Sequence, residues 1–290
     1  MNHDACTVGS AISAAERLLD TAGVDGARLT AEALMALLLG MGRAGVYARL
    51  RDSLDAAKDE AYTGLVRRRA NREPLQYITG RQEFCGLDFI VGPEVLVPRP
   101  ETEMLVTEGS GLLAGAQAPV IADIGTGSGC VAVSLAVRLP GAKVYAVDSS
   151  HAALVTAEKN SGMHGVTDRV RLLSGDIFSP MGAEGLAGGL DLIVSNPPYI
   201  PSGDIQGLQQ EVLFEPRAAL DGGLDGLDVF RRLIVEAPAY LKPGGWLLIE
   251  IGLGQSDAVR RIVDEAHGLE LSGFKRDFSG IERVLVARRV

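Results

Sequence analysis

The stretch that decides the fold spans residues 120–130 and reads VIADIGTGSGC. It begins with an apolar run bounded by glycine, a pattern typical of a buried strand. Glycines then occupy positions 125, 127 and 129, and the residues from Cys130 onward favour a helix. Glycines let the backbone approach a ligand, and a helix N-terminus offers N–H groups that have no partner within the helix. The stretch therefore predicts a strand, a ligand-binding loop and a helix.

The same alternation continues toward the C-terminus. We predict further strands over residues 142–147, 170–173, 190–195 and 246–251, and further helices over residues 151–160, 227–241 and 255–266. Strands that alternate with helices form a parallel sheet covered on both faces. Residues 269–278 and 283–288 predict two strands with no helix between them, so we expect this closing pair to be antiparallel. The predicted fold class is α/β.

The N-terminal part has a different composition. Alanine, leucine and arginine, all good helix formers, dominate residues 8–71. We expect a small helical-bundle domain over residues 1–73, a β-hairpin connector over residues 74–100 and an α/β domain over residues 101–290. Helices are predicted at residues 31–39 and 56–69, and β-favouring residues at 77–81 and 83–91 predict the hairpin.

Two features at the edges of these segments allow more than one interpretation. The basic run at residues 67–72 either faces the negative end of a helix dipole or contacts a partner macromolecule. Prolines on both sides of Arg99 hold it on a rigid loop, which is either a linker or a loop that reaches the neighbouring site. Thr102 is predicted to cap the helix that follows.

Composition excludes several classes of protein. The chain has 290 residues and a formal net charge of −9, which argues against broad nucleic-acid binding. Its three cysteines fit neither a disulfide framework nor a zinc site, so we expect no metal and a reducing, cytoplasmic location. Residues 1–6 lack the basic and apolar pattern of a signal peptide, and the apolar run at 34–39 is too short to span a bilayer.

Carboxylates follow the next two predicted strands. Asp148 ends the second strand, where it can accept hydrogen bonds from ribose hydroxyls, and Asp176 ends the third, where it can accept from an adenine amine beside Ile177. The Gly-x-Gly-x-Gly spacing matches neither the dinucleotide fingerprint nor a phosphate-binding P-loop. These residues predict a nucleoside ligand without a pyrophosphate, and an acidic pocket suits a cationic one. Each feature alone would also fit a tight turn or a helix cap.

The fourth predicted strand ends in an unusual segment, because residues 191–199 read DLIVSNPPY. A residue before proline adopts extended backbone geometry, and proline offers no N–H group. Asn196, Pro197 and Pro198 therefore form a stiff segment rich in acceptors, suited to a group that carries two N–H bonds. The alternative is a simple turn, since Asn-Pro is a common turn pair.

At these positions the chain resembles a known class of enzymes. The glycine loop and the carboxylates resemble the S-adenosylmethionine pocket of class I (Rossmann-like) methyltransferases, and residues 196–199 resemble the motif of those that methylate amino groups. The resemblance implies that the methyl donor is bound by Asp123, Gly125, Thr126, Gly127, Ser128, Gly129, Asp148, Asp176, Ile177 and Asn196.

Three further segments narrow the resemblance: EPLQYITG at 73–80, VPRPETE at 97–103 and FEPRAAL at 214–220. Together they resemble the PrmC/HemK family, whose members methylate the glutamine of the Gly-Gly-Gln motif in class 1 peptide chain release factors. The resemblance implies that Asn196 and the Pro197 carbonyl orient the glutamine amide and that Tyr199 lines the pocket. Substrate contacts are expected from Asn196, Pro197, Pro198, Tyr199, Arg99 and Glu215.

The resemblance also implies a protein partner, a monomer, no membrane association and no sequence-specific nucleic-acid binding. Two alternatives stay open at this point. An adenine-N6 methyltransferase shares the Asn-Pro-Pro-Tyr motif but would need a basic groove and a recognition domain. A nonenzymatic adaptor that binds S-adenosylmethionine would not need residues 196–199 intact.

Overall fold

The computed structural model describes residues 6–290, and residues 1–5, on which the expectation of no signal peptide largely rests, lie outside them. The chain divides into two compact units. One consists of Gln209–Phe214 with the described part of Met1–Gly80, and the other of Arg81–Leu208 with Glu215–Val290. Within residues 6–290, no helix is both long enough and apolar enough to cross a membrane.

The first unit is helical. Its helices are α1 Val8–Thr21, α2 Ala27–Leu39, α3 Arg43–Ala48, α4 Ala56–Ala70 and α5 Leu75–Thr79. Helix α1 begins at a capping box, in which Thr7 and Ser10 satisfy each other's backbone N–H groups. Apolar stripes on α1, α2 and α4 form one core around Ile12, Leu19, Leu34 and Val66. The helices predicted at residues 31–39 and 56–69 are thus confirmed.

One sequence expectation in this region is wrong. Residues 77–79 were expected to belong to a hairpin, but they lie in α5, where Tyr77 and Ile78 are buried. Pro74 precedes this helix, and its carbonyl accepts from the N–H groups of Tyr77 and Ile78. Gly80 follows the helix with a left-handed φ of 72°. Packing therefore overrides the β preference of these side chains. The hairpin consists of β1 Arg81–Phe84 and β2 Leu87–Ile90.

Three arginines of the basic run at residues 67–72 pair with carboxylates of the first unit. Arg69 and Arg72 both donate to the carboxylate of Glu211, each at 2.8 Å, and Arg68 pairs with Glu73. Burial alone would raise the pKa of Glu211, but hydrogen bonds from the two arginines outweigh it and hold the pKa below its usual value. The arginines thereby fasten Gln209–Phe214 to the helical unit.

The second unit contains a seven-stranded sheet in the order β5-β4-β3-β6-β7-β9-β8. Its strands are β3 Val120–Ile124, β4 Lys143–Asp148, β5 Val170–Ser174, β6 Leu190–Ser195, β7 Leu241–Glu250, β8 Leu269–Arg276 and β9 Glu282–Arg289. Strands β3 to β7 pair in parallel, and β9 is antiparallel to β7 and to β8. The predicted α/β fold class and the antiparallel closing pair are confirmed.

Helices cover both faces of this sheet. They are α6 Glu103–Leu112, α7 Cys130–Arg138, α8 His151–Met163, α9 Asp228–Tyr240 and α10 Ser256–Glu265. Successive strand residues point to opposite faces, so Ile121 packs in the core with α6 and α7, and Ala122 packs in the core with α9 and α10. Strand β3 is an inner strand, with β4 on one side and β6 on the other. The connections diverge there, and a crevice opens at the carboxyl ends of the strands.

The contact of Glu211 with two arginines predicts the effect of Glu211→Gln. A neutral amide leaves two partly buried guanidinium groups without a counter-charge, so the segment should lose about 2 kcal/mol of protection. Amide hydrogen exchange in residues 209–214 should then accelerate by more than about tenfold. The matched control is Arg68→Gln, which removes a more exposed ion pair with Glu73 and should change exchange in this segment little. Equal exchange in both variants would contradict this role of Glu211.

Candidate active site

A cavity of about 580 Å³ lies at the carboxyl ends of β3, β4, β5 and β6. Each of these strands delivers predicted site residues to it. Those that line the cavity are Asp123, Gly125, Thr126, Gly127, Ser128, Asp148, Asp176, Ile177, Asn196, Pro197 and Pro198. Four predicted site residues lie outside the lining: Gly129, Tyr199, Arg99 and Glu215.

The glycine loop after β3 adopts a conformation that favours glycine. The φ angles of Gly125, Gly127 and Gly129 are 74°, 55° and 78°, all in the left-handed region. A Cβ on Gly127 would meet no protein atom within 4 Å, whereas a Cβ on Gly129 would lie 3.0 Å from the Cβ of Ala157. Gly127 therefore borders the open cavity, and Gly129 allows α7 and α8 to pack closely.

Two carboxylates hold this loop in place. Asp123 is buried and accepts from the Thr126 hydroxyl at 2.6 Å and from the Ala132 N–H, in the first turn of α7, at 3.1 Å. Burial raises the pKa of Asp123 to about 7. Asp148 accepts from the Gly127 N–H and the Ser150 N–H, both at 2.8 Å. The loop shape is therefore fixed by the protein's own contacts.

The end of β5 brings a strained residue to the cavity. Ile177 has a φ of 48°, which is unfavourable for a β-branched side chain and costs about 1–3 kcal/mol. Its side chain is buried in the core against the α9 face of the sheet. The neighbouring Asp176 is exposed and accepts from Arg232 at 2.6 Å.

Asn196 is oriented by residues that the sequence did not assign to the site. Its side-chain Nδ2 donates to Thr102 Oγ1 at 3.1 Å, and that hydroxyl donates to Glu250 Oε2 at 2.6 Å. Thr102 was expected to cap a helix, but its side chain makes no capping hydrogen bond. Instead it lies buried between Asn196 and Glu250, which ends β7. The sequence feature that could have indicated Glu250 is its position at the end of a strand, the same feature that indicated Asp148.

Tyr199, Arg99 and Glu215 surround the site rather than line it. The Tyr199 side chain packs against the core, and burial raises the pKa of its phenol to about 12. The Tyr199 backbone carbonyl accepts from Gln255 Nε2 at 3.0 Å. Glu215 is buried, pairs with Arg99, and accepts from the Val97 N–H at 3.3 Å. Burial also raises the pKa of Glu215. These contacts fix the loops on which the three residues lie.

Metal-binding side chains do not cluster in the described chain. No group of three or more histidine, cysteine, aspartate or glutamate residues within residues 6–290 could hold a metal ion.

Comparison with known proteins finds relatives that match both parts of the chain. A family model described as PrmC N-terminal domain matches residues 10–80, and one described as Methyltransferase small domain matches residues 102–223. The release factor glutamine methyltransferase of Geobacter sulfurreducens is 47% identical over 272 residues, which cover 92% of this chain and 91% of the relative. That of Moorella thermoacetica is 43% identical over 283 residues, with 98% and 99% covered.

A solved structure shows the same fold at low sequence identity. The hMettl16 catalytic domain, in complex with an MAT2A 3′UTR hairpin, has a TM-score of 0.55 and 18% identity, and the match covers 77% of this chain and 81% of that one. The fold and the domain matches define a class I methyltransferase with a helical N-terminal part. Within that class, the chain belongs to the release factor glutamine methyltransferase family. The resemblance seen in the sequence is confirmed.

The buried carboxyl of Asp123 predicts a pH-dependent stability. Its folded pKa, about 7, lies above that of an unfolded aspartate. Its stabilising contribution is therefore present at low pH and is lost as the pH rises toward about 7. Asp123→Asn removes this loss, so the variant's free energy of unfolding relative to wild type should grow by roughly 2 kcal/mol between pH 5 and pH 8.

Urea unfolding of Asp123→Asn and wild type at both pH values measures that difference. Asp168→Asn, at an exposed aspartate before β5, is the matched control and should give a constant difference. If the two variants behave alike, Asp123 does not carry a raised pKa.

Proposed function

We propose that this protein transfers the methyl group of S-adenosylmethionine to the side-chain amide nitrogen of the glutamine in the Gly-Gly-Gln motif of peptide chain release factors. The observation that carries the proposal is the orientation of Asn196. Its Nδ2 is already engaged by Thr102, so its Oδ1 is the group left to accept from a substrate amide at the cavity. The two close relatives are named for this reaction. The cytoplasm, where release factors act, is the expected location.

The charges of the cavity suit the proposed donor. Carboxylates line it, whereas none of the lining residues is lysine, arginine or histidine. The acidic lining residues are Glu94, Asp123, Asp148, Asp176 and Asp221. A sulfonium cation is favoured in such surroundings, and a ligand that carries a pyrophosphate is disfavoured. Gly127, without a side chain, leaves room for the donor beside the loop, and the remaining lone pairs of Asp148 can accept from ribose hydroxyls.

The reaction is a displacement at the methyl carbon. When bound, the donor supplies an activated methyl group: the N–CH₃ bond forms as the S–CH₃ bond breaks, the electron pair goes to sulfur, and the nitrogen then loses a proton to solvent. An amide nitrogen is a poor nucleophile, because its lone pair is delocalised into the carbonyl. Asn196 Oδ1 and the Pro197 carbonyl accept hydrogen bonds from the two N–H groups of the substrate amide. These bonds direct the amide nitrogen toward the methyl group and favour the cationic transition state.

The residues outside the lining receive supporting roles. Arg99 and Glu215 each adjoin a proline that lines the cavity, Pro98 and Pro216, so their ion pair would hold two walls of the substrate site. Tyr199 would support the Pro197–Pro198 segment from the core side. Gly129 would act through the packing of α7, not through contact with the donor.

Methyl transfer from labelled donor tests the proposal directly. Label should enter a release factor with an intact Gly-Gly-Gln motif, and it should not enter one in which that glutamine is replaced. Label in DNA or RNA instead would favour the adenine-N6 alternative, and donor binding without transfer to any of these substrates would favour the adaptor. Monomeric behaviour remains a prediction, to be checked by light scattering of the same sample.

Asn196→Ala tests the orienting role of the amide. The loss of one acceptor in the transition state should cost about 3 kcal/mol, so kcat should fall on the order of a hundredfold. The donor's Kd, measured by calorimetry, should change much less, because the glycine loop is intact. Turnover that stays normal in this variant would exclude the mechanism.

Gly127→Ala tests the donor site. The added methyl group would enter the cavity, so the donor's Kd should rise on the order of tenfold. A left-handed φ also strains the backbone, and Gly185→Ala controls for that strain. Gly185 has a φ of 68° and open space at the Cβ position, but it lies outside the cavity lining. The donor site is misplaced if both variants bind donor like wild type.

A further inference from the structure

A chain of two hydrogen bonds connects the cavity with the buried end of β7. Asn196 Nδ2 donates to Thr102 Oγ1 at 3.1 Å, and Thr102 Oγ1 donates to Glu250 Oε2 at 2.6 Å. Thr102 and Glu250 are both 3% exposed, whereas Asn196 borders the cavity. The two buried residues therefore act on any substrate only through Asn196.

The direction of the chain follows from the number of protons available. A hydroxyl has one hydrogen, and an ionised carboxylate can only accept. Thr102 therefore gives its hydrogen to Glu250 and keeps only lone pairs for Asn196. The Asn196 amide must then present its NH₂ group to Thr102, which leaves its Oδ1 on the other side. An ionised Glu250 thus determines which way the amide points.

Glu250 lies in surroundings that make ionisation expensive. None of the ion pairs formed within residues 6–290 includes it. Burial raises the pKa of Glu250 to about 7, against the opposing effect of the hydrogen bond from Thr102. The charge of Glu101 adds to the rise, and the charges of Arg283 and Arg99 oppose it. Both arginines already pair with other carboxylates, Arg283 with Asp277 and Arg99 with Glu215. Glu250 also acts on Tyr199, because burial first and the charge of Glu250 second raise the pKa of Tyr199 to about 12.

We propose that Thr102 and Glu250 are positioning residues that lock the Asn196 amide with its oxygen toward the substrate, and that the lock requires an ionised Glu250. The inference rests on the proposed function, because it assigns the orientation of the acceptor that holds the glutamine amide. It adds two residues to the machinery, neither of which touches the reacting atoms.

Protonation of Glu250 reverses the chain. The carboxylic acid then donates to Thr102 Oγ1, and the hydroxyl turns its hydrogen toward Asn196, which favours Oδ1 on that side. The flipped amide presents N–H groups to a substrate amide that also needs acceptors. Because Glu250, with a pKa of about 7, is mostly protonated at pH 6 and mostly ionised at pH 8, its effect on kcat should be a rate about tenfold lower at pH 6 than at pH 8.

Substitutions of Thr102 test the lock. Thr102→Val keeps the shape of the side chain and removes the hydroxyl, so kcat should fall at least tenfold while the donor's Kd stays within twofold. Thr102→Ser restores the hydroxyl and should return kcat to within threefold of wild type. Circular dichroism and thermal unfolding verify that both variants fold. Equal kcat in the Val and Ser variants would overturn the proposal.

The pH profile tests Glu250. Glu250→Gln cannot ionise, so its ratio of kcat at pH 8 to kcat at pH 6 should fall from about ten toward one, whatever its absolute rate. Glu270→Gln, at an exposed glutamate on β8, is the matched control and should keep the wild-type ratio. An acid limb that persists in Glu250→Gln would overturn the proposal.

A readout without turnover separates this inference from the proposed function. The ¹⁵N-labelled side-chain amide of Asn196 should shift between pH 6 and pH 8 in wild type, and it should not shift in Glu250→Gln or Thr102→Val. If wild type transfers no glutamine-dependent label, the proposed function fails, and the amide titration still decides whether Glu250 orients Asn196. If label is transferred but the amide does not titrate, the inference alone fails.

Discussion

Everything at this site depends on one constraint: parallel strands leave their carboxyl ends on the same edge of the sheet. Strand β3 is the point at which the order of strands reverses, with β4 on one side and β6 on the other. The connections after β3 and β6 therefore turn away from each other, and the space between them cannot be filled by either. The glycine loop and the Asn196 segment meet at this space although about seventy residues separate them in the chain.

Polar side chains of the protein hold the loop beside that space in a fixed shape. Asp123 and Asp148 take hydrogen bonds from the loop and from the first turn of α7, so the loop is shaped by the protein itself. The same carboxylates make the lining acidic. One set of residues thus fixes the shape of the loop and makes the cavity acidic, which suits the cationic donor proposed for it. A preformed site of this kind avoids the entropy of ordering a loop when the ligand binds.

Sequence reasoning found the parts of this site whose signals are local. The apolar run before the glycines predicted a strand at the start of residues 120–130, and β3 Val120–Ile124 lies there. Both signals, the apolar run and the glycines, lie within a few residues of the strand. The hairpin predicted to include residues 77–79 was wrong there, because these residues form a helix that buries Tyr77 and Ile78. Thr102 was read as a helix cap, since nothing near it in the sequence indicates Glu250, 148 positions away. Contacts over that distance depend on the order of strands, which no local pattern contains.

The contact between Thr102 and Glu250 also answers a difficulty peculiar to amide substrates. The side chain of asparagine has nearly the same shape in its two flipped orientations, yet one offers an acceptor and the other offers donors. In the proposed mechanism the site accepts hydrogen bonds from two N–H groups of the substrate. The amide orientation must then be fixed, because the flipped orientation would place a donor against a donor. A backbone carbonyl such as that of Pro197 has no such ambiguity, but a side-chain amide needs a neighbour that can only accept. The Thr102 hydroxyl is such a neighbour, because it donates its one hydrogen to the buried carboxylate of Glu250. This gives a physical reason for an ionised Glu250 at a position where burial disfavours the charge.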